Sequence, residues 1–287
     1  MIGRMRRALT AAALCAALAL LVCLVPVAAQ EFTPAPGADP LHRPLDQILD
    51  SNVRDGLVYY RALKSERGRL DRYVASLNVP AATYEGWSRR QQMAFWVDAY
   101  NAFVLETVIN HYPLHGTAPG APSNSIRQIP GAFDRAPWHA AGRAVTLDQI
   151  EKTILPPFKE PRLYLALGRG ALGSGRLRSE AYTADRLDAQ LADLQAEFVT
   201  NREMLQIDRA AGTIVVTPIV SWHDQEFIAA YDKGDQAFAA RSPIERAIVA
   251  FIAPALLPLE KGFVEQNQFK VSFGEFDWHL NDLTGRS

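Results

Sequence analysis

The chain has 287 residues, 48% hydrophobic and 21% charged, with a formal net charge of −1. This is the balance of a globular protein of one large or two small domains, in which core size is not limiting. With 30 Lys and Arg against 31 Asp and Glu there is no basic excess, which excludes a nucleic-acid partner. Both cysteines, Cys15 and Cys23, fall in the N-terminal apolar run, so the rest of the chain has no disulfide, thiolate nucleophile or cysteine metal ligand.

MIGRMRR, an Ala/Leu/Val run and then Val27, Ala28 and Ala29 are the basic, apolar and small-residue regions of a secretory signal. Residues 1–29 are therefore expected to be a signal peptide cleaved after Ala29, and the protein exported, periplasmic or secreted. Cleavage removes Arg4, Arg6 and Arg7 and no acidic residue, leaving 27 basic against 31 acidic residues. Uncut, the run from Ala8 would be roughly long enough to cross a bilayer, which is the one route to a membrane. Residues 30–44, rich in Pro, Gly and Ala, read as a flexible linker, and residues 45–285 as a single domain.

Within that domain, Leu45–Leu49 reads as a short helix and Leu57–Tyr60 as a strand or extended entry. Leu70, Tyr73, Val74 and Leu77 repeat at helical spacing within 65–77. Ser88 caps the next element, which runs to Tyr112 and stops at Pro113. Its stripes, Met93, Val97, Tyr100, Val104 and Val108 on one side and Trp96, Ala99 and Phe103 on another, predict a helix buried on more than one face. Asp98 and Asn101, three apart, share a face of it and serve either as structural fasteners or as site residues.

Residues 114–138 are turn-rich and irregular, the kind of segment that often lines a site. A hairpin around Ala141–Arg143 follows, then a helix capped by Thr146 and ended by Pro156 and Pro157. Leu163–Leu167 reads as a buried strand, Gly168–Gly175 as a loop, and Thr183 as the start of an amphipathic helix through Leu187, Leu191, Leu194 and Phe198. Strands at 203–207 and 213–217, helices at 222–231 and 243–256 and a late strand at 268–273 complete an α+β reading: a mostly helical single domain around a buried central helix with a small β-sheet.

Gly168, Gly170 and Gly173 spell G-x-G-x-x-G after the expected strand, the pattern that holds a dinucleotide pyrophosphate at a helix N-terminus. The next helix is delayed to about Thr183 and the flanking elements do not alternate strand and helix, so no nucleotide or other cofactor is expected. His111 and His115 have the spacing of two ligands on one helical face, but Pro113 lies between them, and with His139, His223 and His279 scattered no metal site is expected.

FWVDAYNA, from Phe95 to Ala102, resembles the signature helix of the domain of unknown function 547 family, roughly Phe-Trp-hydrophobic-Asn-Ala-Tyr-Asn-Ala, with Asp98 in place of the usual Asn. The resemblance runs in register from about Leu45 to Asp282 through VTLDQIE at Val145, WHDQEF at Trp222 and FDWHLN at Phe276. It implies a fold and a map of positions rather than a reaction. The family loop similar to Ala166–Arg178 usually carries two cysteines, where this chain has Arg169 and Ser174, and the family helix similar to Ile150–Lys152 usually reads Ile-Glu-His. If those positions imply thiol chemistry, both nucleophile and base are replaced here.

Two function classes stay open. One is an exported, non-catalytic binding domain for a small or peptide ligand or an envelope protein, with Arg169, Arg178, Asp98, Trp222 and Asp277 as candidate ligand-binding residues. The other is a hydrolase or transferase with Ser174 as nucleophile and Lys152, or a carboxylate, as base, for which Glu151 and Asn101 complete the catalytic candidates. No Gly-x-Ser-x-Gly elbow surrounds Ser174. A site at this loop requires Asn101, Glu151 and Gly168–Gly175 to converge on one pocket.

Overall fold

The computed structural model describes residues 39–284, which belong to one compact unit. The expected signal peptide, residues 1–29, and most of the linker lie outside the described residues. Pro44 in its first turn and Leu45, Ile48 and Leu49 on one buried face form α1 (Arg43–Asn52), which begins inside the stretch expected to be flexible. A tight hairpin follows, β1 (Val53–Arg54) and β2 (Leu57–Val58), then α2 (Tyr60–Ser65), α3 (Gly68–Ser76) and α4 (Ala81–Glu85).

Ser88 opens the long central helix α5 (Arg89–His111): its hydroxyl accepts from the Gln91 amide and the Gln91 side chain accepts from the Ser88 amide. This capping box satisfies two otherwise orphaned donors. Sixteen of the 23 residues of α5 are buried, Asp98 and Asn101 among them. Trp96 donates its indole N–H to the Tyr84 hydroxyl at 2.7 Å, and Phe103 stacks on Trp138 at 4.8 Å. The helix is apolar on more than one face because α2 and α3 pack on one side and the later half of the chain on the others.

After an irregular stretch come β3 (Trp138–Ala140) and β4 (Arg143–Val145), paired with Trp138 opposite Val145, then α6 (Leu147–Gln149), capped by Thr146 and Gln149 in a second box. Residues 163–167, expected as a strand, form instead a helical turn, α7 (Arg162–Leu165), with Leu163, Tyr164 and Leu165 all buried. A short apolar run has no periodicity to separate the two states, and tertiary packing decides it.

Helix α8 (Leu187–Thr200) starts four residues after Thr183, whose amide is taken by the Gln190 side chain. A three-stranded sheet joins β5 (Leu205–Asp208) and β6 (Thr213–Val216), antiparallel, to β7 (Lys270–Phe273), which runs parallel to β6. Between β6 and β7 lie α9 (Pro218–Trp222), α10 (Asp224–Tyr231), α11 (Pro243–Ile252) and α12 (Pro258–Glu265). The expected helix 222–231 is thus two, broken at His223 with φ −125°. The described residues form a mostly helical α+β domain, and no helix among them is long and apolar enough to cross a membrane.

Candidate ligand-binding cleft

Past α6 the chain widens into one π-helical turn, Ile150–Ile154, closed by the Leu155 amide donating to the Ile150 carbonyl at 3.0 Å. Such wider turns recur at functional sites. Here the turn sends two neighbours opposite ways. Lys152, 65% exposed, donates to Asp148 at 2.7 Å, whereas Glu151 points inward. Its Oε1 accepts from Arg169 Nη2 at 2.5 Å and lies 2.9 Å from His223 Nε2, and its Oε2 accepts from the Tyr100 hydroxyl at 3.2 Å.

Burial by itself would raise the Glu151 carboxyl, but the Arg169 guanidinium and the His223 contact outweigh it and hold the group at about 2. Glu151 is therefore a fixed anion at neutral pH and no proton donor. Arg169, only 2% exposed, is as fully committed: Nη1 donates to the carbonyls of Tyr164 at 3.1 Å and Leu167 at 3.2 Å. The His223 ring stacks on Tyr164 at 3.5 Å, and the break between α9 and α10 is what turns it toward Glu151.

Asn101 clips the glycine-rich loop to α5, donating to the Ala166 carbonyl at 3.1 Å and accepting the Gly168 amide at 2.8 Å. The far side of the loop is sewn to the C-terminal segment, where the Gly173 amide donates to the Asp277 carbonyl at 2.8 Å and Leu172 to His279 at 2.9 Å. A Cβ on Gly173 would lie 2.6 Å from the Asp277 amide nitrogen, and Gly170 has φ +67° against Val104. These glycines serve close backbone packing, and the next helix, α8, begins only at Leu187.

Asn101 and Glu151 each reach the loop, at Gly168 and Arg169, but the three do not share one pocket: Glu151 and Arg169 line one cleft, Ser174 lines another, and Asn101 lines neither. The Ser174 hydroxyl accepts the Arg169 amide at 3.0 Å and faces a separate cavity of about 420 Å³ with Arg176, Glu197 and Asn281. Among the described residues no hydrogen bond joins Ser174 to Lys152, which lies on the other cleft and is held by Asp148. The serine–lysine pairing that the alternative reading needs is not formed, because the π-helical turn carries Lys152 outward.

The cleft beside Glu151, about 720 Å³, is lined by Asp148, Lys152, Arg169 and His223 together with Arg127, Phe133, Glu226, Trp222 and Trp278. Its volume is that of a small-ligand site. Of the candidate ligand-binding residues, Trp222 and Arg169 line it, but Arg169 is spent on Glu151 and on backbone rather than free for an anion. Arg178 pairs with Glu180 at 3.0 Å and lines a different depression. The Asp277 carboxylate accepts from the His279 amide at 2.9 Å and lies against the His279 ring, away from the cleft. Asp98 is sealed in the core, accepting the Tyr182 amide at 3.1 Å and lying 3.2 Å from His42 Nδ1. Burial pushes its carboxyl well above the ordinary range and His42 down to about 4.

Sequence reasoning placed Tyr100 in the core and His223 among scattered histidines, and passed over Arg127 as a site residue. The only local pointer to His223 was its place in the WHDQEF block, next to Trp222.

No curated protein and no solved structure matches the chain. The model of the family described as "Protein of unknown function, DUF547" matches residues 84–199, a narrower span than the sequence resemblance. It takes in α5, Glu151, the glycine-rich loop and nearly all of α8 but leaves His223 and both cleft tryptophans outside. This stretch, which holds Asn101, Glu151 and Arg169, is similar to the domain of unknown function 547 family.

Proposed function

We propose that the protein is an exported binding domain whose cleft takes a small ligand without covalent catalysis. One observation carries this reading: Arg169 stands where the resemblance expects a thiol, and its guanidinium is consumed by Glu151 and by two backbone carbonyls. A nucleophile needs a free lone pair and a base to activate it. A buried guanidinium has neither, Glu151 is a fixed anion, and Ser174 faces another cavity. What the cleft offers instead is shape, aromatic surface and oriented polar groups, the elements of recognition.

Serine-directed and thiol-directed covalent probes should leave the protein lacking residues 1–29 unlabelled. Stoichiometric labelling at Ser174, abolished by Lys152→Ala, would replace this reading with a hydrolase. The export part rests on the N-terminal pattern. N-terminal sequencing of protein from its native compartment should begin at or near Gln30, and a product beginning at Met1 in the cytosol would refute export.

A further inference from the structure

Trp222 sits at the cleft 45% exposed, although an indole is among the side chains that gain most from burial. It is not alone. The Trp278 ring lies 6.4 Å away with the two planes only 20° apart, and Phe276 fills the angle at 5.0 Å from Trp222 and 4.4 Å from Trp278. Phe133 braces Trp278 edge-on at 5.9 Å. The result is an aromatic shelf of two nearly parallel indoles with Phe276 tilted against both.

The charged groups around the shelf cancel. Asp148 is paired with Lys152 and Glu151 with Arg169, which leaves Arg127, its guanidinium 5.1 Å from the Trp278 ring, and Glu226, of opposite sign. Such a lining selects neither an anion nor a cation, yet it presents fixed donors and acceptors around an apolar face. None of the lining residues lies on a strand, so no backbone ladder is offered to an extended peptide. A pyranose ring has complementary chemistry, with an apolar C–H face for the indoles and a rim of hydroxyls that both donate and accept.

Building on the binding reading above, we infer that the cleft binds a neutral saccharide, stacked on Trp222 and Trp278 and hydrogen-bonded through its hydroxyls to Arg127, Asp148 and Glu226.

The test is calorimetric and fluorescence titration of the protein with chitotriose, cellotriose and maltotriose, with trialanine and inorganic phosphate as contrasts. At least one trisaccharide should bind saturably and perturb the indole signals. Trp222→Ala and Trp278→Ala should each weaken that binding about tenfold or more, the worth of a stacking contact. Arg127→Ala should weaken it without changing the fold seen by circular dichroism. Failure of all three trisaccharides to bind, or binding unchanged in Trp222→Ala, overturns the inference. Trp222-dependent binding of trialanine or phosphate alone overturns the saccharide class while leaving non-covalent binding standing. The covalent labelling described above bears on the binding reading and not on the ligand class.

Discussion

Arg169 donates to Glu151 at 2.5 Å with both side chains almost fully buried, at 2% and 9% exposure. The pair fills the space beneath the cleft with two charges that satisfy each other. It also ties the π-helical turn to the glycine-rich loop, and through His223 and Tyr100 it links α5 to the junction of α9 and α10. A buried pair of this kind gives little net stability over well-packed apolar residues, but breaking it strands a charge.

Glu151→Ala or Arg169→Ala should therefore cost about 3 to 5 kcal/mol each. The combined Glu151→Leu and Arg169→Met variant should lose much less than the sum of the single substitutions, because neither charge is left alone. Urea titration of the four proteins checks this, and single losses under about 1 kcal/mol would mean that the pair is not buried in solution.

The same pair gives the protein an acid limit. Glu151 titrates at about 2 when folded against an ordinary 4.5, so its contribution is fully present above the unfolded value and is lost as pH falls through the folded one. Stability referable to this group, on the order of 3 kcal/mol, should disappear between roughly pH 4.5 and pH 2. The difference in urea midpoint between the native protein and Glu151→Gln should shrink over that window.

Trp96→Ala should cost about 3 to 5 kcal/mol, since the ring is fully enclosed on α5. Tyr100→Phe keeps the packing and removes only the hydroxyl bond to Glu151, a loss of about 1 kcal/mol. Denaturant titration distinguishes the two. A change under about 1 kcal/mol for Trp96→Ala would place α5 at the surface.

Asp98 carries a carboxyl that burial raises well above its ordinary value, so at a pH between the unfolded and folded values folding takes up a proton that the unfolded chain has given up. The sign is opposite to that of Glu151: stability is full below the unfolded value of 3.8 and falls as pH rises above it. Asp98→Asn, isosteric with the neutral acid and the residue that the family resemblance expects here, should stabilise the protein at pH 7. That advantage should fade as pH falls toward 4. Melting curves at the two pH values decide it, and destabilisation by Asn at pH 7 would mean that His42 and Asp98 form an ion pair.

Local signals were enough wherever a residue's role is set by its sequence neighbours. The Ser88 and Thr146 caps, the turn at Ala141 and Gly142, the hairpin ending in Thr213–Val216 and the buried stripes of α5 all followed from spacing and capping, because those interactions close within a few residues. So did the α+β class, since it is the sum of such elements. Tertiary structure decided what spacing leaves free. It made residues 162–165 helical, broke the chain at His223, and turned Lys152 out and Glu151 in through one π-helical turn. It brought His223 across 72 positions to Glu151 and Asn101 across 67 to Gly168. Contacts of that range depend on how whole elements pack, and neither a buried charge nor its partner can be read from the residues beside it.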